Sequence, residues 1–128
     1  MTYLLDTHTF LWFINDDPAL SDAAKKTIES AEGALYLSVA SVWEMAIKVS
    51  LERLAMPTPF GDFIDGQLRV NNFRLLSMTT QHAEVIAALP FHHRDPFDRL
   101  IIAQSQVEGF PVIGKDEAFD DYGVQRVW

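Results

Sequence analysis

The sequence has no cysteine among its 128 residues. Disulfides, thiol nucleophiles and cysteine-ligated zinc are thereby excluded, whereas cations held by oxygen are not. Long apolar runs are also missing. No stretch approaches the roughly 20 residues that span a bilayer, and Met1-Thr2-Tyr3 leads into a strand without the basic n-region of a secretory signal. A soluble, cytoplasmic protein is expected, with no membrane contact. Positive charge is scarce: Lys and Arg number 10 against 18 Asp and Glu, a formal net charge of −8. That is the wrong sign for a simple nucleic-acid binding module. The objection weakens if the acids cluster around divalent ions, since two such ions would halve the deficit and put positive charge where a phosphate sits. The acidity equally suits a basic protein partner. No repeat, low-complexity tract or linker interrupts the chain, so residues 1–128 read as one domain.

What the chain does contain is 48% hydrophobic residues, arranged as short apolar runs alternating with helical periodicities. Tyr3-Leu4-Leu5, Leu35-Tyr36-Leu37-Ser38, Leu75-Leu76-Ser77 and Val112-Ile113 read as strands, with Val124–Val127 a possible last one. Between them, helices are expected from His8 to Ile14, from a Ser21 cap to Ser30, from a Ser41 capping box onward, from Phe60 to about Val70, and from a Thr80 cap to Pro90. The first helix is apolar nearly all round, which fits either deep burial or contact with another subunit. The alternation predicts a three-layer α/β/α sandwich around a mainly parallel sheet.

The most apolar helical run follows Arg94-Asp95-Pro96-Phe97-Asp98. Asp95 is placed as its N-cap and Pro96 at its first position, so Asp98 falls in the first turn, beside the apolar stripe. Both acids are also favoured there by the helix dipole alone. In parallel sheets, however, ligands bind beyond the carboxyl ends of the strands. Asp6 ends the first strand, Glu44 lies shortly after the second, Asp116 follows a late one, and Asp98 starts the helix leading to it. Individually, capping, an i,i+4 pair with Lys48, or a turn accounts for each. Together they place four acids at one sheet edge, where like charges destabilise one another without a counterion such as Mg2+ or Mn2+.

The ordered set Leu4-Leu5-Asp6-Thr7, Ser41-Val42-Trp43-Glu44 with Ala46-Ile47-Lys48, Asp95-Pro96-Phe97-Asp98-Arg99-Leu100-Ile101-Ile102-Ala103-Gln104, and Asp116-Glu117-Ala118-Phe119 before Trp128 resembles the PIN-domain ribonucleases. Within them it is most similar to the VapC-like toxins of toxin–antitoxin pairs. The resemblance spans nearly the whole chain. It implies a PIN-like fold and metal-dependent endoribonuclease activity, with an RNA substrate, one or two Mg2+ or Mn2+ ions, a cognate antitoxin and a homodimer. Asp6, Glu44 and Asp98 match the three core acids, Asp116 the more variable fourth, and Thr7 the hydroxyl after the first. Asp95 is either a support for Asp98 or only the cap. The pattern departs at Gly114, where many relatives carry Ser or Thr; the missing hydroxyl makes Asp116 the weakest of the four assignments.

Metal-assisted phosphodiester hydrolysis needs no side-chain nucleophile. Arg94, Arg99 and Lys115 are candidate RNA contacts because they adjoin the acids in sequence, against a reading as solvated surface charge. His92-His93 beside Asp95 hints at zinc, but adjacent histidines in a polar loop are more often exposed, and His8 and His82 stand alone. Trp12, Trp43 and Trp128 read as core or interface residues rather than base-stacking platforms. The competing function is a catalytically silent PIN-fold interaction module, which gives no reason to keep all four acids. A receiver-like phosphoacceptor domain would need an Asp at a central strand end, and Leu75-Leu76-Ser77-Met78 offers none.

Overall fold

A computed structural model describes residues 1–128. Five strands, β1 (Tyr3–Leu5), β2 (Leu35–Ser38), β3 (Phe73–Leu76), β4 (Val112–Ile113) and β5 (Arg126–Val127), form one sheet in the order β3-β2-β1-β4-β5. Every pairing is parallel. The crossover direction reverses between β1 and β4, which leaves a crevice at their carboxyl ends. Six α-helices connect the strands: α1 (Thr7–Ile14), α2 (Asp22–Ser30), α3 (Val39–Ser50), α4 (Phe60–Val70), α5 (Thr80–Ala88) and α6 (Pro96–Glu108). A 3-10 helix, Glu117–Tyr122, was not expected from the sequence. No helix is long and apolar enough to cross a membrane.

Side-chain alternation along the strands divides the core in two. Leu5 and Ile113 face one layer with Leu37, Phe10, Ala24, Ile28, Met45 and Ile64, while their neighbours Leu4 and Val112 face the other with Leu100, Ile101, Ile102 and Phe119. The register that pairs Leu4 with Val112 and Leu5 with Ile113 keeps both faces aligned across the switch point. Both faces of the sheet are therefore covered, as the predicted sandwich requires. Of the apolar residues of α1, Phe10 is fully buried, whereas Leu11, Trp12, Phe13 and Ile14 pack against the first layer and stay partly exposed, so burial accounts for only part of its all-round apolarity.

Several boundaries differ from the sequence expectation, each for a local reason. β2 runs into α3 with no loop, because the Ser38 hydroxyl accepts from the Ala40 N–H at 3.0 Å; Ser38, not Ser41, is the cap. Glu44 is thus freed from a capping box. Thr79, not Thr80, caps α5, in a reciprocal box with His82. The expected Asp95 cap and Pro96 start of α6 hold, and Gly109 closes that helix at φ 74°, the left-handed conformation that glycine adopts without strain.

Arg99 corrects an expected RNA contact. Its side chain is buried, and the guanidinium donates to the carbonyls of Leu89 (3.0 Å), Ile86 (3.3 Å), Pro90 (2.8 Å) and His93 (3.2 Å). It gathers the C-terminal carbonyls of α5 and the following loop instead of facing solvent. Removing it leaves those carbonyls short of partners, so Arg99→Met is expected to lower stability by about 2–4 kcal/mol, read as a fall in the denaturant midpoint. A midpoint equal to that of the parent chain would show that the guanidinium is dispensable.

Candidate active site

Asp6 leaves β1 and caps α1, its Oδ1 accepting from the Thr9 N–H at 2.8 Å. The Thr9 hydroxyl in turn donates to the Ile113 carbonyl at 2.8 Å, pinning the start of α1 to the end of β4. Asp6 is almost fully buried, and no lysine or arginine pairs with it. Burial pushes its carboxyl above the usual range; hydrogen bonds to Thr9 and the nearby His8 partly offset this, and Asp116 adds to it.

Gly114, where the sequence departs from the family pattern, packs directly against Asp6. A Cβ there would lie 2.6 Å from Asp6 Oδ2 and 3.0 Å from its Cγ, inside contact distance. The space that a serine or threonine would take is already filled by the first acid. Gly114→Ser should therefore push Asp6 out of place and lower the melting temperature, by an overpacking penalty of about 1–3 kcal/mol. In an Asp6→Ala background the same substitution should be much milder, and equal penalties in both backgrounds would refute the steric link.

Asp98 lies in the first turn of α6, where its Oδ2 is 2.7 Å from His93 Nε2. The same imidazole nitrogen is 3.5 Å from Asp116 Oδ2. Ligating atoms of His93, Asp98 and Asp116 all lie within 4.8 Å of one another. Asp98 is raised to about 6, chiefly by burial, then by the charge of Asp95, with the hydrogen bond and charge of His93 opposing and Asp6 adding. Asp95 itself caps α6, its Oδ1 accepting from the N–H groups of Phe97 (2.8 Å) and Asp98 (3.2 Å). It thus positions Asp98 and also raises the energy of its charge.

Glu44 is brought to the same sheet edge but held differently. Its Oε1 is 2.8 Å from the Thr7 hydroxyl, and its Oε2 is 2.9 Å from Lys48 Nζ. The Thr7 oxygen is also 2.8 Å from that of Ser41. A hydroxyl has one proton, and the carboxylate can only accept, so Thr7 donates to Glu44 and Ser41 donates to Thr7. Asp6, Asp98 and Asp116 are therefore gathered with His93, while Glu44 stands beyond Thr7 with Lys48 at its outer oxygen. The Asp116 side chain is 47% exposed and accepts from the Ala118 N–H at 2.9 Å.

Sequence reasoning set one site residue aside and missed another. His93 is half-buried against Asp98, its backbone N–H donating to the Tyr122 hydroxyl at 2.8 Å. The adjacent pair His92-His93 beside Asp95 was its signal, set aside because such pairs are more often exposed; His93 is not. Arg126 forms a bidentate pair with Asp120 at 2.9 and 3.0 Å and donates to the carbonyls of Gly114 (3.2 Å) and Lys115 (3.4 Å), bracing the loop that carries Asp116. Arg94 and Lys115 are exposed. Trp43, 61% exposed, meets Phe97 edge to face at 5.2 Å between α3 and α6.

The strand-end acids lie at the switch point of a five-stranded parallel sheet, and the PIN domain family model matches residues 3–125. This chain belongs to the PIN-domain family. It is 32% identical over 116 residues to ribonuclease VapC22 of Mycobacterium tuberculosis (strain ATCC 25618 / H37Rv), an alignment covering 90% of this chain and 87% of that protein. The fold is similar to FitAcB from Neisseria gonorrhoeae, with a TM-score of 0.70 and 19% identity over 98% of this chain and 96% of the other. It is also similar to VapBC2 from Rickettsia felis bound to a promoter DNA fragment, with a TM-score of 0.66 and 15% identity over 98% and 97%. The VapC-like fold is the one that the ordered motifs implied.

The titration of Asp98 in this PIN domain has a consequence for stability. Its carboxyl ionises at about 6 in the folded chain against 3.8 ordinarily, so the folded state binds more protons between those values. Stability from this group is fully present below the lower value and is lost as pH rises through the upper one. In chelator at pH 8, Asp98→Asn should be the more stable protein by on the order of 2 kcal/mol, with the difference vanishing below about pH 4. Thermal unfolding at both pH values checks this; a variant less stable at pH 8 would contradict it.

Proposed function

We propose that this PIN domain is a metal-dependent endoribonuclease that acts as the toxin of a toxin–antitoxin pair. The observation that supports it most directly is the desolvated, like-charged group Asp6, Asp98 and Asp116 at the sheet switch point, with no lysine or arginine neutralising Asp6 or Asp98. Carboxylates raised by burial and by one another favour a divalent cation, and an all-oxygen acid set suits Mg2+ or Mn2+. Asp6, Asp98 and Asp116 would hold such an ion, with Glu44 contributing from behind Thr7. His93, at 2.7 Å from Asp98, orients that carboxylate. When bound, the ion supplies positive charge at the scissile phosphate and lowers the pKa of attacking water.

The chain's own residues do the rest by position. Thr7 and Lys48 fix both oxygens of Glu44, and Asp95 with Pro96 sets the start of α6 so that Asp98 projects from a rigid element. Lys115 and Arg94, exposed near the acids, are the candidate contacts to the RNA backbone. Relatedness to ribonuclease VapC22 supports the reaction class, and likeness to VapBC2, FitAcB and a toxin–antitoxin complex from Klebsiella pneumoniae supports an antitoxin partner. A cytoplasmic homodimer completes the reading. The silent-module alternative leaves the energetic cost of the unpaired acids without a purpose.

The test is cleavage of RNA by the purified chain with Mg2+ or Mn2+, against the same chain in chelator. Activity should require the ion, and Asp98→Asn should reduce kcat by roughly 100-fold or more, the scale of losing electrostatic stabilisation at the reacting phosphate. Metal-independent cleavage, or full activity in the variant, overturns the mechanism. For the toxin role, expression alone should slow growth and co-expression of the adjacent small open reading frame should restore it.

A further inference from the structure

Beside Asp6 and Asp116 lies an open pocket of about 260 Å³ whose remaining lining is His8, Trp12 and Lys115. The acids belong to the cleavage site, but the other three residues have no role in holding a cation. His8 and Trp12 project from successive turns of α1, with ring centroids 5.5 Å apart and planes tilted by 35°. Trp128 meets the indole at 5.7 Å with its plane tilted by 54°. Packing of Trp12 against the core fixes this aromatic wall in place. Lys115, on the loop held by Arg126, contributes a flexible cation at the rim.

We infer that this pocket is a nucleobase subsite, in which one base of single-stranded RNA next to the scissile phosphate rests on Trp12 and His8, with Lys115 at its edge. The inference rests on the nuclease reading and deepens it. Three features carry it. The volume is below the roughly 300–1,000 Å³ of pockets that enclose drug-sized ligands, which suits a single base. Apart from the two acids, the lining offers an aromatic surface together with polar atoms on His8 and Lys115 that can meet a base edge. The chain's net charge of −8 leaves little affinity to be drawn from phosphate contacts, so a stacking contact has more of the binding to supply.

The experiment compares a single-stranded oligoribonucleotide that the chain cleaves with versions that are abasic on one side or the other of the cut. With Mg2+ or Mn2+, removing the base on one side should raise KM by about tenfold, within the range of one base–aromatic stack. In Trp12→Phe and His8→Ala, the ratio of KM between the abasic and parent substrates should shrink toward one. A general loss of structure would change both substrates together. Equal KM for all substrates in the parent chain, or an undiminished ratio in both variants, overturns the subsite and leaves the nuclease reading standing.

Binding distinguishes the remaining case. Tryptophan fluorescence of the full chain is followed with random hexaribonucleotides and with an abasic ribose-phosphate hexamer of equal charge, in the presence of Mg2+. Base-dependent quenching that is diminished in Trp12→Phe supports the subsite even if nothing is cut, a result that would overturn only the nuclease reading. Equal response to the two hexamers overturns the subsite.

Discussion

Two carboxylates that would each be more stable in water, Asp6 and Asp98, are held largely out of it at the open end of a parallel sheet. Neither meets a lysine or arginine; Asp6 raises the energy of the charge on Asp98, and Asp116 does the same to Asp6. Much of the surrounding structure reads as the means of keeping them there. The Thr9 N–H at Asp6 and the imidazole of His93 at Asp98 each satisfy part of the unfavourable demand without neutralising it, whereas the charge of Asp95 adds to it. Helix N-termini contribute through their dipoles, since both acids sit where α1 and α6 begin. Residual unfavourable energy of this kind clusters at functional sites.

Glu44 shows that four acids in one region need not be equivalent. It is anchored through Thr7 to the residue after Asp6 and through Lys48 along its own helix. A lysine at its outer oxygen means that charge added at the centre competes with charge already present at the edge. Arg99, meanwhile, stabilises the loop bearing His93 by collecting carbonyls of the preceding helix. One arginine serves the site at a distance, by fixing the backbone of the residue that touches Asp98.

Most of the fold was legible because its signals are periodic. Leu4 and Leu5 divide between two layers, and Pro96 with Gly109 bounds α6 at both ends. The strand-end rule placed Asp6 and Asp116 at one edge, and the ordered motifs pointed to the PIN family. What sequence order concealed was direction. Arg99 adjoins Asp98 in the chain yet turns inward, because successive residues of a helix point about 100° apart. His93 turns toward Asp98 through a loop whose course is set by Tyr122, far along the chain. Gly114 shows a contact that sequence order could not: a side chain there would meet the carboxylate of Asp6, more than a hundred residues earlier.

The crevice between β1 and β4 joins opposite ends of the chain, with Asp6 near its start and Gly114 tied through its N–H to the Val127 carbonyl near its finish. Such long-range pairings form only once the intervening loops have been closed. A partly synthesised chain can have α1 and β2 in place and still lack the loop that carries Asp116. The arrangement is therefore complete only when β4 and the loop after it have joined β1.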